Sequence, residues 1–289
     1  MAIDITIKQR LFGRKTMPLE VILGDHLSYG CYSYDHLYPG ELGESEFIAY
    51  NPQSIGRGFS VVWNPNEKRA IDLRLPLPST EAELRDFYDA IERMVTYWNA
   101  GLVVDGTRTR LSDFMAGFSQ MVSFNEKTIR QIAESVMDQS YNTLALYSAM
   151  WPLTIGKQEA TLFLQSPANY AAWLHEKQSM DVHFVAPHFY EGEDGIFARY
   201  TLTDNIPALL PLHPTVPIGM VDPSAGTALE CSDWRIILAL ESEEECLCEM
   251  EYEKFLHLIP ENKKSDYDAN HFLLAAMNEN ELRDLSTHA

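Results

Sequence analysis

The chain has 289 residues, of which 46% are hydrophobic and 22% charged, values typical of a globular protein that buries a sizeable core. Its formal charge of −20 repels the negatively charged phosphate backbone of nucleic acids, so we expect no nucleic-acid partner. The N-terminal segment has no apolar run of signal-peptide length, and the longest uncharged run makes a poor membrane span, so we expect no membrane partner. Four cysteines without framework spacing favour a reducing compartment, and we predict a cytoplasmic protein.

The first hundred residues carry clear period-two and helical patterns. Alternating apolar residues predict strands at 2–8, 47–51, 58–64 and 69–75, the last two as a hairpin, and residues 18–23 predict a short helical turn that Gly24 ends. Thr80 and Glu83 form a capping box, which predicts a long amphipathic helix that stops at Gly101.

The remainder of the chain predicts more helices and a second β region. A second helix spans Phe114 to Met121, Ser123 and Glu126 would cap a third, and Ser166 begins a fourth. Paired strands follow at 181–190 and 195–202, then a proline-rich stretch that we interpret as a rigid connector, a strand at 234–240, and a mostly helical segment at 269–285.

These patterns predict an α+β fold with antiparallel-rich sheets and several packed helices. Residues 1–110 would form a sheet-rich N-terminal region with one long helix, and residues 111–289 a mixed helical and β region. The two regions could also form a single domain.

Standard catalytic motifs are missing: the sequence contains no H-E-x-x-H, Walker A, G-x-G-x-x-G or G-x-S-x-G pattern. Gly56-Arg57-Gly58 is either a small anion nest or, as we favour, a flexible turn. A period of two, with Cys246, Cys248, Met250 and Tyr252 on one face and Leu247, Glu249, Glu251 and Glu253 on the other, favours inward-facing core cysteines of a half-buried strand over metal ligands. We therefore expect no metal and no cofactor, and no catalytic residue can be assigned.

Polar pairs elsewhere favour structural roles. Asp266 and Asp268 are predicted to cap the final helix. His183 and His188, at an odd separation, would point to opposite faces of one strand.

The stretch "HLSYGCYSYDHLY" (26–38) provides the candidate ligand- or partner-binding residues. If Cys31–Leu37 is one strand, then Tyr32, Tyr34 and His36 share a face, which suits stacking or an interface. A tyrosine-rich strand that merely covers the core is the alternative. The Asp-His pairs at 25–26 and 35–36 would meet only if the chain folded back.

Several stretches together resemble a known family: "LFGRKTMPLEVILGD", "SIGRGFSVVW", "IDLRLPLPSTEAELRDFYDAIERM" and "YDANHFLLAAM". The chain is similar across nearly its whole length to a bacterial family catalogued as domain-of-unknown-function family 4299. The resemblance implies a bacterial, intracellular protein and carries over neither an activity nor site residues.

Three functions fit these observations. The first is a non-catalytic intracellular interaction module with an acidic surface, for which a basic protein would be the complementary partner. The second is a hydrolase-type enzyme whose site is assembled from distant residues among His26, His36, His183 and His188 with nearby carboxylates. The third is a small-ligand sensor that uses the Tyr32, Tyr34 and His36 face. The oligomeric state is left open.

Overall fold

A computed structural model describes residues 1–10, 15–33, 36–64, 66, 69–193, 195–217, 220–221, 226–241 and 245–289. For Tyr32, Ser33, His36 and Glu245 it describes the backbone alone. The chain forms two compact units, Met1–Met180 and Asp181–Ala289. Helices and predominantly antiparallel sheets confirm the predicted α+β class. Residues near 110, where the sequence pattern changes character, lie inside the first unit.

The first unit is built on a broad antiparallel sheet. Among its described residues, eight strands pair in the order β3-β2-β4-β5-β6-β1-β7-β8, hereafter the large sheet. The elements of this unit, in chain order, are β1 (Ala2–Lys8), α1 (Leu19–Leu23), β2 (Ser28–Ser33), β3 (His36–Pro39), β4 (Glu46–Tyr50), β5 (Phe59–Val62), β6 (Ala70–Pro76), α2 (Glu81–Trp98), β7 (Gly101–Val104), β8 (Thr107–Thr109), α3 (Leu111–Ala116), α4 (Phe118–Met137), β9 (Leu144–Leu146), β10 (Leu153–Ile155), α5 (Lys157–Gln165) and α6 (Pro167–Gln178).

One face of the large sheet packs against α2, as the sequence predicts. Ile3, Ile5 and Ile7 of β1 are buried together with the apolar residues of α2, such as Phe87 and Ile91. Burial of each such side chain stabilises the fold by about 1.5–3 kcal/mol. The predicted hairpin of β5 and β6 and the capping box at the start of α2 are both confirmed.

Two helix predictions in this unit are wrong. Ser123 does not cap a helix but lies inside α4, which already begins at Phe118, and its hydroxyl donates to the Ser119 carbonyl within the helix. The predicted second helix is split at Gly117 between α3 and α4. The predicted start at Ser166 is confirmed, because its side chain accepts from the Ala168 N–H.

The opposite face of the large sheet is only partly covered. At its β2–β4 end, Leu37, Tyr50 and Ile55 form a small buried cluster with Ala149 from the chain between β9 and β10. Gly58 is required here, because it has a positive φ and a Cβ would press on Ile48 at 2.5 Å. Over β5, β6, β1 and β7 the outward-facing side chains remain accessible.

The second unit contains two sheets, each with four strands among the described residues. One has the order β11-β14-β18-β17 (the β14 sheet) and the other β12-β13-β15-β16 (the β13 sheet). The elements are β11 (His183–Phe184), β12 (His188–Gly192), β13 (Gly195–Thr203), β14 (Ala208–Pro211), β15 (Asp233–Leu240), β16 (Glu245–Glu251), α7 (Tyr252–Leu258), β17 (Lys264–Asp266), β18 (His271–Leu274) and α8 (Glu279–Ser286).

The C-terminal segment differs from its prediction. The expected helix over 269–285 is wrong, because residues 271–274 form β18 and only α8 is helical. Asp268 does not cap the final helix: it accepts from the His271 N–H in a turn before β18, while Asn278 caps α8. Asp266 ends β17.

The proline-rich stretch is not simply a connector. Residues 208–211 form β14, a fully buried strand between β11 and β18, with Pro207 just before it and Pro211 at its end. The prolines thus bound a strand whose interior is Ala-Leu-Leu.

The two neighbouring cysteines do not share an environment. A β-bulge shifts the register of β15 and β16 between Leu238 and Ala239, which pair with Cys248 and Cys246 respectively. Cys246 is exposed and Cys248 is half-buried, so the prediction that both thiols point inward is wrong for Cys246.

Candidate functional site

The predicted single strand across Cys31–Leu37 is instead a hairpin of β2 and β3. Tyr34 and Asp35 lie outside the described residues, as do the side chains of Tyr32 and His36. The proposal that Tyr32, Tyr34 and His36 form a binding face therefore stays a prediction.

The first Asp-His pair builds a charged cluster on α2. His26 Nε2 lies 2.9 Å from Asp86 Oδ1, and its Nδ1 lies 3.2 Å from Asp25 Oδ1. The hydrogen bond to Asp86 raises the pKa of His26, and Asp25 acts in the same direction. Asn51 Nδ2 also donates to Asp86, at 3.2 Å. Two carboxylate acceptors favour the doubly protonated ring, which has no lone pair with which to take up a proton.

The other candidate histidines lie elsewhere. His183 belongs to β11 and His188 to β12, which are strands of different sheets in the second unit. The prediction that they lie on opposite faces of one strand is therefore wrong.

The Gly56-Arg57-Gly58 segment is an anion nest whose anion is the chain's own Glu83. The N–H groups of Arg57 and Gly58 donate to Glu83 Oε1 at 2.5 and 2.6 Å, and the Thr80 N–H donates to Oε2 at 3.0 Å. Glu83 is 3% exposed, and its burial raises its pKa while these donors oppose the shift. The capping glutamate of α2 therefore also fixes the loop before β5.

An open cleft lies where the covered part of the large sheet's outer face meets the exposed part. Its volume is about 510 Å³, within the range of small-molecule sites. A second hollow of about 510 Å³ continues along the sheet and shares Glu46, Ser60 and Arg74 with the first. The side chains come from β4, β5 and β6, where Ile48 pairs with Ser60 and Ser60 pairs with Arg74.

The inner end of the cleft is formed by the loop before β5 and the chain after β9. Arg57 lines it and is held rigidly, since its Nε donates to the Tyr147 carbonyl at 2.6 Å and its Nη1 to the Pro78 carbonyl at 3.1 Å. Ser148 lines the same end, is 2% exposed, and its hydroxyl has no hydrogen-bond partner among the described residues. A buried hydroxyl without a partner costs free energy.

The cleft lining contains one carboxylate, Glu46, together with Arg57, Arg74 and the amino-terminal residue Met1. Arg74 is paired with Asp4 across β6 and β1, with Nη1 to Oδ1 at 2.9 Å. Glu46 is exposed and makes no ion pair with any described residue. Glu46, Arg74 and Ser148 were not predicted from the sequence. Glu46 and Arg74 occupy outward-facing positions of alternating strands, which was the available signal, whereas no local pattern indicates Ser148.

The second unit presents a different surface on the β13 sheet. Arg199 Nη2 and Arg235 Nη1 each donate to Glu249 at 3.0 Å, and both guanidinium groups lie about 5 Å from the Phe197 ring centroid. Tyr190 stacks on Phe197 with a centroid separation of 5.5 Å. Paired arginines fixed against aromatic rings are typical of protein-binding surfaces.

The net charge is also concentrated in the second unit. Residues 181–289 contain 21 acidic and 6 basic side chains, a net −15, whereas residues 1–180 contain 21 and 16, a net −5.

Within the described part of the chain, no three His, Cys, Asp or Glu side chains are placed to hold a metal ion. None of the described helices combines the length and apolar character needed to cross a bilayer.

A family model described as "Domain of unknown function (DUF4299)" matches residues 2–285. The chain belongs to this family. The match covers nearly all of both units and confirms the resemblance drawn from the sequence. No curated protein and no solved structure matches the chain.

Proposed function

We propose that this DUF4299 protein is a non-catalytic, intracellular bacterial interaction module that binds a basic partner protein through its second unit. The observation that carries the proposal is the net charge of −15 on residues 181–289. Charge of this density accelerates the association of a positively charged partner and disfavours acidic ones. The exposed ring of Tyr190, which stacks on Phe197, supplies an ordered aromatic side chain at which such a partner would bind.

The test compares the effect on partner binding of removing negative charges from the second unit and from the first. One variant replaces three exposed glutamates of the second unit with glutamine, and the matched control replaces three of the first unit. The sets are Glu191, Glu251 and Glu253 in the test variant, and Glu20, Glu41 and Glu44 in the control. Each protein is purified from its own host at low and at high salt, and co-purifying proteins are identified by mass spectrometry.

We expect a stoichiometric, positively charged partner that the control variant retains and the test variant loses, and that high salt releases. Equal retention by both variants, or a partner of net negative charge, would contradict the proposal.

A hydrolase is the second candidate function, and the His26–Asp86 pair is the observation that favours it. Since both ring nitrogens contact carboxylates, His26 would act as a base only after Asp25 moved away. Hydrolysis of generic ester substrates that His26→Gln abolishes would support the enzyme over the interaction module.

A further inference from the structure

We propose that the cleft on the large sheet binds a small organic carboxylate with an apolar body, with Arg57 as its counter-ion. The site lies in the first unit and is independent of the partner surface proposed for the second. The cleft volume of about 510 Å³ accommodates a ligand of about the size of an indole with a short acidic side chain.

The charges along the cleft determine the sign of the ligand. Glu46, Ser60 and Arg74 line both the cleft and the second hollow, so they lie where the two meet. Arg57 lines the cleft alone, at its inner end, and it is the charged side chain that the described lining places there. The inner end therefore carries a positive charge, while the junction carries one charge of each sign.

Arg57 is held in one orientation, which favours anion binding. Its Nε and Nη1 donate to the carbonyl groups of Tyr147 and Pro78, which fix the guanidinium plane but are neutral. Buried Glu83 offsets part of the charge, yet its oxygens accept from backbone N–H groups and not from the guanidinium. A guanidinium has five N–H donors, so donors remain for a carboxylate, and a preorganised group loses little entropy on binding it.

Arg74 supplies a second cation at the junction. Its pair with Asp4 joins side chains that are 60% and 55% exposed, and exposed pairs of this kind are weak. Arg74 can therefore exchange Asp4 for a ligand at low cost. Glu46, which is exposed at the same junction, repels a ligand carboxylate, so the acid group is directed towards the inner end.

The walls of the cleft suit an apolar body. Phe47, Ile48 and Pro76 line it, and the Tyr147 side chain at the inner end is 47% exposed, which provides a ring for stacking. An apolar ring that enters the cleft removes its own surface and that of these side chains from water, which favours binding.

Three probes with the same ring distinguish the charge requirement: indole-3-propionate, its neutral amide and tryptamine. Binding to the full-length protein is measured by isothermal titration calorimetry and ligand-detected NMR. We expect the acid to bind about tenfold more tightly than the amide, which has nearly the same shape, and tryptamine to bind more weakly than both.

Arg57→Gln tests the counter-ion directly. It should reduce the affinity for the acid to that for the amide and leave the affinity for the amide unchanged. Because Arg57 also binds two carbonyl groups, the folding of this variant is checked by urea unfolding.

Two exposed or half-buried positions provide tests that do not alter these internal contacts. Glu46→Gln removes a repulsive charge and should raise the affinity for the acid about twofold without changing that for the amide. The matched control, Glu44→Gln, removes an exposed carboxylate outside the cleft and should change neither affinity. Ser60→Phe, which fills the cleft from an outward-facing strand position, should weaken binding of both probes.

Each contrary result overturns the proposal. If no probe binds at millimolar concentration, the cleft is not a site for such ligands, and if the amide or tryptamine binds as tightly as the acid, no carboxylate is recognised. A folded Arg57→Gln that keeps the ratio of acid to amide affinity shows that Arg57 is not the counter-ion. Where that variant does not fold, a Glu46→Gln that leaves or lowers the affinity for the acid overturns the proposal instead. If Ser60→Phe leaves binding intact, the ligand binds elsewhere. None of these outcomes bears on the glutamate variants that test the second unit.

Discussion

Glu83 is expected to be the polar side chain on which the first unit depends most strongly. Glu83→Ala leaves the N–H groups of Thr80, Arg57 and Gly58 without their acceptor in a buried region. Each unsatisfied donor costs about 1–3 kcal/mol, and loss of the helix cap about 1 kcal/mol more. Allowing for partial relaxation, we expect the free energy of unfolding to fall by about 4 kcal/mol. The fall with Glu83→Gln should be about 2 kcal/mol, since the amide keeps one acceptor oxygen.

Gly56 allows a test of the same contact from its other side. A Cβ at Gly56 would lie 2.5 Å from Glu83 Cδ, and the carboxylate is held in place by its three donors. Gly56→Ala should therefore destabilise the wild-type protein by about 2 kcal/mol or more. In the Glu83→Ala background the obstacle is gone, so the double variant should be about as stable as Glu83→Ala alone.

Urea unfolding followed by tryptophan fluorescence measures these effects. Four of the five tryptophans lie in the first unit, so the signal reports mainly on that unit. With a denaturant dependence of about 2.5 kcal/mol/M, Glu83→Ala should lower the midpoint by about 1.5 M. Glu81→Ala, at an exposed position one turn from Arg85, is the control and should cost under about 1 kcal/mol. Additive losses for Gly56→Ala and Glu83→Ala would refute the reasoning, as would a Glu83→Ala loss no larger than that of the control.

Three further outcomes are expected. His26 has a pKa in the folded protein above its ordinary value of 6.5, so its ion pair adds stability that is fully present below pH 6.5 and is lost as the pH rises through the folded pKa. The difference in unfolding free energy between the wild type and His26→Gln should therefore shrink over that pH interval. A difference that grew with pH would contradict this. Ser148→Ala should leave the free energy of unfolding unchanged or raise it by up to about 1 kcal/mol, because the hydroxyl has no hydrogen bond to lose. The control Ser79→Ala removes a 2.8 Å hydrogen bond and should lower the free energy of unfolding by about 1 kcal/mol. Equal losses for the two variants in urea unfolding would show that Ser148 has a partner. Iodoacetamide should alkylate exposed Cys246 before Cys248, whose pKa burial raises, and the reverse order in peptide mass spectrometry would contradict the bulge.

Local sequence patterns predicted secondary structure correctly where a single buried face or a complete helix cap determines the element. The strands at 2–8 and 69–75 and the helix after Thr80 have a single buried face or a complete cap, and all three are confirmed. The capping-box pattern failed at Ser123, because the same residue types are compatible with the interior of a helix that has already started. Residues 271–274 also contain good helix formers, yet pairing with β14 makes them a strand.

The candidate site could not be predicted from local patterns. Glu46, Ser60 and Arg74 come from three strands, and their proximity depends on strand order and register. The glycines at 56 and 58 were interpreted as a flexible turn with a nest as the alternative, and nothing in their spacing identifies an anion. That Glu83 fills the nest follows only from the packing of α2 against the loop before β5.

The interleaved strand order of the second unit has a consequence for its synthesis. The chain leaves the β14 sheet after β11, returns for β14, leaves again for β15 and comes back for β17 and β18, so neither sheet is made from one continuous stretch. β14 pairs with β18, which follows β15, β16, α7 and β17 in the chain, and loop closure over such separations is slow. Side chains of both sheets pack in one buried core together with Phe272 and Leu274 of β18, so both sheets should become stable together in one cooperative step. A premature stop before His271 would leave β14 without its antiparallel neighbour and expose its buried leucines, so we expect such a product to be degraded as a whole unit.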